Sequence, residues 1–517
     1  MRKITKELIL TMCLFFVVFD ASAQYKNKKN KHAIDTVKTE SQLILEKADS
    51  SESPVIINLD QAIQIALSEN VAIKVADKEV TRTGYAKQGS YSALYPKIDI
   101  SGNYQRTIKK QVMYMDIDMS ELAGPGGGAP SGPGAGGADP GAGGSKPGND
   151  SAKPSQGADA ASNPMADGLE VGRWNTWNAG VTASMPIINA QLWKSIKISA
   201  LDVEVAVEKA RSSRLETVAQ VKSAYYSTLF AKEAFEVYKE VYENAVKNFE
   251  ETQKKYRAEK VSELEFIRAK TTVASAVPNV YEAESNVILS LWQLKAILGV
   301  DLDLNIDIAG SLGDFSDQMF YDIHQHDSIS LANNTTMKTL ALQTEQLAHA
   351  IKVQQFACIP TLSAVFNFSM NAMTNDFKFS NYRWTPYSYV GLSLNIPIFS
   401  GLKRHNDTRQ AKNRYEQIQL QSLDAERNLK IAIRKHLNTM ETSMKSYVAG
   451  QNTVAAAQKG YDIAERSYQL GGSTLIELND AQLALTQSKL SELQAIYNFV
   501  VAKTQLEQTL GQDFVNE

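Results

Sequence analysis

The chain has 517 residues, a formal net charge of −3 and 43% hydrophobic residues. The balanced charge leaves no strongly basic face for nucleic acid, and the hydrophobic content is ordinary for a globular protein and low for a helical membrane protein. Its two cysteines are Cys13 and Cys358, and Cys13 falls in the segment read below as a leader, so no internal disulfide is available to the mature chain.

Residues 1–23 predict a secretory signal peptide: Arg2, Lys3 and Lys6 form a basic start, Leu8 to Phe19 an apolar core, and Ala21-Ser22-Ala23 a cleavage pattern. Residues 24–58 then form an expected N-terminal periplasmic segment. Beyond the signal no apolar run is long enough for a spanning helix, so an exported chain of this kind spans a membrane only as a β-barrel.

A helix is predicted over about 59–94, ended by Tyr95-Pro96, because proline lacks an N–H and pushes its predecessor to extended geometry. A strand over about 97–106 puts Ile98, Ile100, Gly102 and Tyr104 on one face and Asp99, Ser101, Asn103 and Gln105 on the other. Residues 121–168 are Gly/Pro-rich, cannot bury a core and are expected to be a flexible extracellular loop. A second strand over about 174–186 places Trp177, Ala179, Val181, Ala183 and Met185 opposite Asn178, Gly180, Thr182 and Ser184, and Pro186 is expected at its end. A helix without glycine or proline follows over about 190–256, with apolar residues at three- and four-residue steps. At ~1.5 Å per residue it is roughly 100 Å long. A tight turn leads to a return helix over 262–298, in which Pro278 marks a kink. Residues 300–326 link to a second half.

The second half repeats the first. Glu69 to Ala76 resembles Asn333 to Leu340 at an offset of 264, and Pro96 pairs with Pro360 at the same offset. Pro186 pairs with Pro397 at 211, Tyr256 with Tyr468 at 212, and Leu298-Gly299 with Leu510-Gly511 at 212. The shrinkage locates an insertion in the first copy, where the Gly/Pro-rich stretch lies. The repeats span 59–299 and 327–511, with a tail at 512–517. The second carries a helix over about 328–357, strands over about 361–369 and 387–397, a long helix over 402–469 and a return helix over 474–510. Pro360, Pro397 and Gly401 mark its strand–helix junctions, and Gly471 its helical turn.

Four strands of about ten residues, each with one apolar and one small-polar face, fit a transmembrane barrel. Trp174, Trp177, Tyr382, Trp384, Tyr387 and Tyr389 cluster near strand ends as an interfacial aromatic belt. The same alternation fits a soluble half-buried sheet. Four strands cannot close in lipid. Two copies give eight strands, a barrel filled by its own side chains, whereas three give twelve and an open lumen. The fold expected is therefore a mixed α/β membrane protein: a trimeric 12-stranded transmembrane β-barrel, four strands per chain, continuing into a long helical tunnel.

The duplication, the proline-bounded hairpins, the Ile396-Pro397-Ile398-Phe399-Ser400-Gly401 junction and the turn from Tyr468 through Gly471 and Thr474 to Glu477 together resemble the TolC family of outer-membrane efflux proteins. The resemblance covers nearly the whole mature chain. It implies a homotrimer in the outer membrane of a Gram-negative bacterium, among outer-membrane lipid. It further implies a passive duct that reaches an inner-membrane transporter through a periplasmic adaptor protein; no cofactor is expected. It also implies that the helical turns form a periplasmic gate, carried here onto Tyr468, Glu477, Asp480, Glu265 and Tyr256. Two positions depart from the family pattern: Ser473 stands where some members have arginine, and Glu259 where a turn glycine is expected, so Glu259 has to bear φ > 0 or form another turn. The glutamates have a second reading, since Ser262/Glu265 and Thr474/Glu477 are capping-box pairs. Asp480 is not explained by a cap. Threefold symmetry would make Glu477 and Asp480 a ring of carboxylates that concentrates cations.

No phosphate loop, metalloprotease motif or nucleophile elbow occurs, and no enzyme or metal site is expected. His324-x-His326 reads as a solvated pair in the link. A structural coiled-coil protein with a small soluble sheet is the alternative to an export duct. Neither the exported substrate nor the particular pump and adaptor is legible.

Overall fold

The computed structural model describes residue 44 and residues 54–113, 169–320 and 330–512. The expected signal, the 121–168 loop, the His324/His326 pair and residues 513–517 lie outside the described residues. Among the described residues, no helix is long and apolar enough to cross a membrane, and no cluster of metal-ligating side chains occurs. The described residues divide into two compact units: a helical one, drawn from 54–92, 190–320, 330–358 and 397–512, and a sheet unit, drawn from 93–113, 169–189 and 359–396.

The helical unit begins with β1 (Val55–Ile57), α1 (Leu59–Glu69) and α2 (Val71–Ser92). The expected single helix over 59–94 is thus two helices. Asn70 breaks it: its side-chain amide donates to the Ile297 carbonyl at 2.7 Å, and its Oδ1 accepts from Ala72 N at 2.8 Å, capping α2. After the first strands of the sheet unit come α3 (Ala190–Arg257) and α4 (Glu263–Leu298). Pro278 lies inside α4. The link forms β6 (Ile306–Ile308), parallel to β1, and a 3₁₀ stretch at Leu312–Phe320 whose Leu312 and Met319 are fully buried. The second copy starts with α5 (Thr335–Gln355), later than expected because Asn334 is its N-cap, accepting from Met337 N at 2.9 Å. It ends with α6 (Lys403–Leu470) and α7 (Leu475–Leu510). Both long helices have 68 residues and both return helices 36, so the duplication is conserved in length. Each long helix is about 100 Å.

The main core lies where β1 and β6 meet the middle of the helices: Ile57, Val221, Tyr225, Leu229, Leu294, Leu298, Ile433 and Phe499 are all buried there. Each such side chain contributes about 1.5–3 kcal/mol by leaving water. The two copies share one joint. Gly299 and Gly511 end α4 and α7 in the left-handed region, at φ 77° and 71°. As Asn70 reaches Ile297, so Asn334 donates to Thr509 O at 2.6 Å. At the second copy's joint Arg211, from α3 of the first copy, donates to Asn333 O at 3.0 Å and to Gly511 O at 2.8 Å.

The sheet unit is four antiparallel strands in the order β2 (Lys97–Arg106), β5 (Asn175–Ile188), β7 (Thr361–Thr374), β8 (Thr385–Asn395). A separate ladder, β3 (Gln111–Met113) with β4 (Leu169–Val171), pairs Met113 with Leu169. Register joins the apolar faces of both copies. Ile98, Ala183, Phe366 and Val390 form one row across the sheet, and Ile100, Val181 and Phe368 sit in the next apolar row. Asp99, Thr182, Asn367 and Tyr389 form a row on the other face. Tyr387 and Tyr389 therefore lie on the small-polar face, their rings 5.7 Å apart, and not with the apolar belt. Strand periodicity fixes this, since they share parity with Gly391. Trp177 does sit on the apolar face, packed against Tyr104 at 4.3 Å.

Pro186 is inside β5 rather than at its end, paired with Ser363, with a register shift between Pro186 and Ile188. The strand tolerates it because β2 has already stopped: its last pair is Lys97 with Ser184, so β5 has a single neighbour there. Pro96 and Pro360 immediately precede β2 and β7, and Pro397 lies two residues past β8. Gly401 and Leu402, at φ 59° and 62°, turn the chain into α6.

Candidate functional site

The two helical turns have the same backbone construction. In the first, Lys260 N donates to Lys255 O at 2.9 Å; in the second, Gly472 N donates to Ser467 O at 2.8 Å. These are the six-residue closures that satisfy the last carbonyls of a helix. Each needs one left-handed residue. Gly471 supplies it at φ 81°, and Glu259 supplies it at φ 55°, bearing the strain its side chain imposes. Ser262 then caps α4, accepting from Glu265 N at 3.3 Å. Thr474 and Glu477 make a full capping box, with bonds of 3.3 and 3.2 Å.

Tyr468 is 3% exposed and works as a staple within the chain. Thr252 spends its hydroxyl proton on Asn248 O at 2.7 Å, so the 2.7 Å contact between Tyr468 and Thr252 has the tyrosine donating. Lys255 Nζ sits 4.5 Å from the centre of the same ring and donates to Tyr468 O at 2.9 Å. Burial pushes the Tyr468 hydroxyl above its ordinary pKa, the Thr252 bond offsets part of this, and Glu265 and Glu251 nearby raise it further. Two helical turns earlier, Tyr461 is also buried and is pushed up to about 12, chiefly by burial and then by Glu465. Its hydroxyl lies near Asn248 but makes no aligned bond.

Tyr256, at the matching position of the first copy, is 37% exposed and stacks on Phe266 with ring centres 5.0 Å apart. Glu265 is half-buried, whereas Glu477 and Asp480 are exposed. The Glu477 carboxylate is committed to its cap, and Asp480 bonds no described residue. All five sequence-predicted residues thus gather at the two turns. Thr252, Lys255 and Phe266 complete the cluster. Lys255 carries a faint sequence signal, three residues from Thr252 on one helix face, but their joint target is a residue more than 200 positions away.

Cross-copy bonds hold the turns together: Lys247 pairs with Glu465 at 2.8 Å, and Asn479 donates to Thr272 Oγ1 at 3.2 Å. Between them, Ala269, Leu475, Leu478 and Leu485 form a small core around Tyr461 and Tyr468. Small alanines let the helices approach closely there. Ser473, at the position of the family arginine, donates to Ala464 O at 3.2 Å and so ties its turn back onto α6.

A family model described as "Outer membrane efflux protein" matches residues 151–300 and 328–512, more than half of the chain. Outer membrane protein TolC of Escherichia coli (strain K12) is 19% identical over 346 residues, 65% of this chain and 70% of that protein. The alkaline protease secretion protein AprF of Pseudomonas aeruginosa is 22% identical over 345 residues, 64% of this chain and 69% of that protein. The solved Campylobacter jejuni CmeC outer membrane channel superposes with a TM-score of 0.63 at 17% identity, covering 92% of this chain and 89% of that one.

Proposed function

The chain belongs to the outer membrane efflux protein family, and from that premise we propose how it forms the outer-membrane exit duct of an efflux or secretion system. Three copies close one twelve-stranded barrel, which continues into a tunnel of twelve long helices. The observation that carries this reading is the four-stranded register: a mainly apolar face, interrupted on β8 by Ser388, a mainly polar face that also bears Tyr387 and Tyr389, and open edges at β2 and β8 among the described residues. Unpaired strand edges cannot stand in hydrocarbon, so neighbouring copies have to cover them. Twelve strands leave a lumen, with the polar rows of Asp99 and Ser101 facing water.

The duct is passive. Energy comes from an inner-membrane transporter, reached through a periplasmic adaptor. The helical turns form the periplasmic entrance: Tyr468, Tyr256 and Glu265 hold its shape, and Asp480, with Glu477, lines it. Asp480 is the carboxylate left uncommitted by capping, so it is the stronger candidate for attracting cations into the entrance.

Heat-resistant trimers in outer-membrane extracts, with single-channel conductance in bilayers, are the expected result. Monomers recovered from the soluble periplasm would favour a structural coiled-coil protein instead. Affinity purification from the native host is expected to bring an adaptor and an inner-membrane transporter. A conductance whose cation block survives D480A/E477A removes the charged entrance from this account.

A further inference from the structure

We propose that a cavity at the start of α6 holds the headgroup of an anionic phospholipid from the leaflet that the strands leave. This rests on the outer-membrane reading above and adds a ligand to it. The cavity is an open groove of about 380 Å³, within the size range of small-ligand sites, and is lined by Arg404 and His405 of α6, Gln354 and Gln355 at the end of α5, and the apolar pair Phe399 and Leu402.

Arg404 is set in place before any ligand arrives. Its Nε donates to Ser400 Oγ at 2.9 Å and its Nη2 to Ile398 O at 3.1 Å. These bonds use two of five guanidinium donors, and among the described residues no carboxylate takes the others. No acidic residue lines the cavity or occupies the first turn of α6. From 403 to 414 the chain carries Lys403, Arg404, Arg409, Lys412 and Arg414 against Asp407 alone. A guanidinium held by a hydroxyl and a backbone carbonyl, with donors still unused, is suited to a phosphodiester.

The apolar rim turns a phosphate site into a lipid site. The chain enters this segment directly from β8, whose apolar face ends in the exposed Leu392 and Leu394. Ile398 and Phe399 extend that run at 88% and 81% exposure. Leu402 projects in the left-handed conformation that L residues normally avoid, and its side chain stays exposed. Exposed aliphatic and aromatic side chains next to a cation cluster mark the boundary between acyl chains and headgroups. Free phosphate would use Arg404 but leave the rim uncovered; an anionic lipid satisfies both.

The test reconstitutes the full-length assembly in nanodiscs of phosphatidylcholine, with or without phosphatidylglycerol. Native mass spectrometry then counts the lipid kept by each chain, with inorganic phosphate as competitor. Wild type is expected to enrich phosphatidylglycerol, and phosphate is expected not to displace it. R404Q is expected to lower its retention about fivefold, the value of one cation at an anionic surface. F399S keeps the charge and the Arg404 bonds but removes the aromatic member of the rim, and is also expected to lose retention. K430Q, further along the same helix, is expected to behave as wild type. Equal retention in wild type, R404Q and F399S overturns the proposal, as does full displacement by phosphate. Dissociation of R404Q in both lipid mixtures also overturns it, by making the cavity a seam between copies. A chain that never inserts takes down the duct reading together with this one, whereas insertion without lipid preference takes down this one alone.

Discussion

Three glycines separate backbone strain from packing. Gly471, Gly299 and Gly511 all sit near the same left-handed φ, at 81°, 77° and 71°. Alanine at any of them incurs the same conformational cost of about 1–2 kcal/mol, reduced by up to about 1 kcal/mol because alanine also restricts the unfolded chain. The surroundings differ. A Cβ at Gly471 meets nothing within 4 Å, so G471A is expected to cost about 1 kcal/mol in total. A Cβ at Gly299 would lie 2.8 Å from Glu69 O and 3.0 Å from Asn70 Cα, both backbone atoms that no rotamer change can move. Overpacking of that kind adds about 1–3 kcal/mol. At Gly511 the new Cβ would overlap the Asn333 carbonyl oxygen and stand 2.8 Å from its carbon, at a joint also clamped by Arg211 and Asn334. G511A is expected to cost about 4 kcal/mol or more, because the shift also strains those bonds. The order G471A < G299A < G511A is read from urea melts in detergent, followed by helical circular dichroism. Adding N333A to G511A is expected to restore nothing, since the obstructing atom is backbone. Equal losses at all three sites, or rescue by N333A, would refute the packing argument.

The turn of the first copy offers the reverse experiment: E259G is expected to stabilise it by up to about 1 kcal/mol, seen as slower amide exchange over residues 256–262. Y468F deletes the donor to Thr252 and is expected to cost about 1 kcal/mol, while Y461F loses no aligned bond and is expected to stay within about 0.5 kcal/mol of wild type by the same melts. Alkaline pH tests the buried hydroxyls. Tyr225 and Tyr461 are both raised to about 12 in the fold, so their stabilisation is complete below the unfolded value near 10 and is lost as pH rises from about 10 toward 12; Y225F/Y461F is expected to flatten that stretch of a pH titration of the melting midpoint. Deleting residues 124–168 is expected to leave trimers intact on gels, because the β3–β4 ladder pairs Met113 with Leu169 and residues 114–123 suffice to close a hairpin.

The duplication was legible because each copy repeats the same joint. The match of Glu69-Asn70 with Asn333-Asn334, and of Gly299 with Gly511, reflects the asparagine amide that reaches the end of a return helix whose glycine lies against its backbone. What escaped the sequence depends on distant partners. Asn70 breaks a helix that local propensity would continue, because Ile297, 227 residues away, accepts its amide. Pro186 could be placed inside β5 only once β2 was known to stop beside Ser184. The parity of Tyr387 and Tyr389 was countable from Gly391, yet proximity to a strand end concealed it.

The candidate entrance divides the same way, and the division bears on how it could work. Turn chemistry is local, so the strain at Glu259 and the Thr474/Glu477 box could be read from spacing. Tyr468 draws its role from Thr252 and Lys255, on a helix of the other copy. The two copies thus share a backbone turn and differ in what they do with its aromatic residue. Tyr468 is locked inward across the repeats, whereas Tyr256 remains partly exposed and leans on Phe266 of its own hairpin. An entrance that opens by moving one hairpin against its neighbours would have to break the Tyr468 contacts only if the second hairpin moves away from α3. Motion of the pair as a unit leaves them intact. Y468F therefore discriminates between these motions: a variant with more open-channel conductance than wild type implies separation of the hairpins, and unchanged conductance implies that they move together.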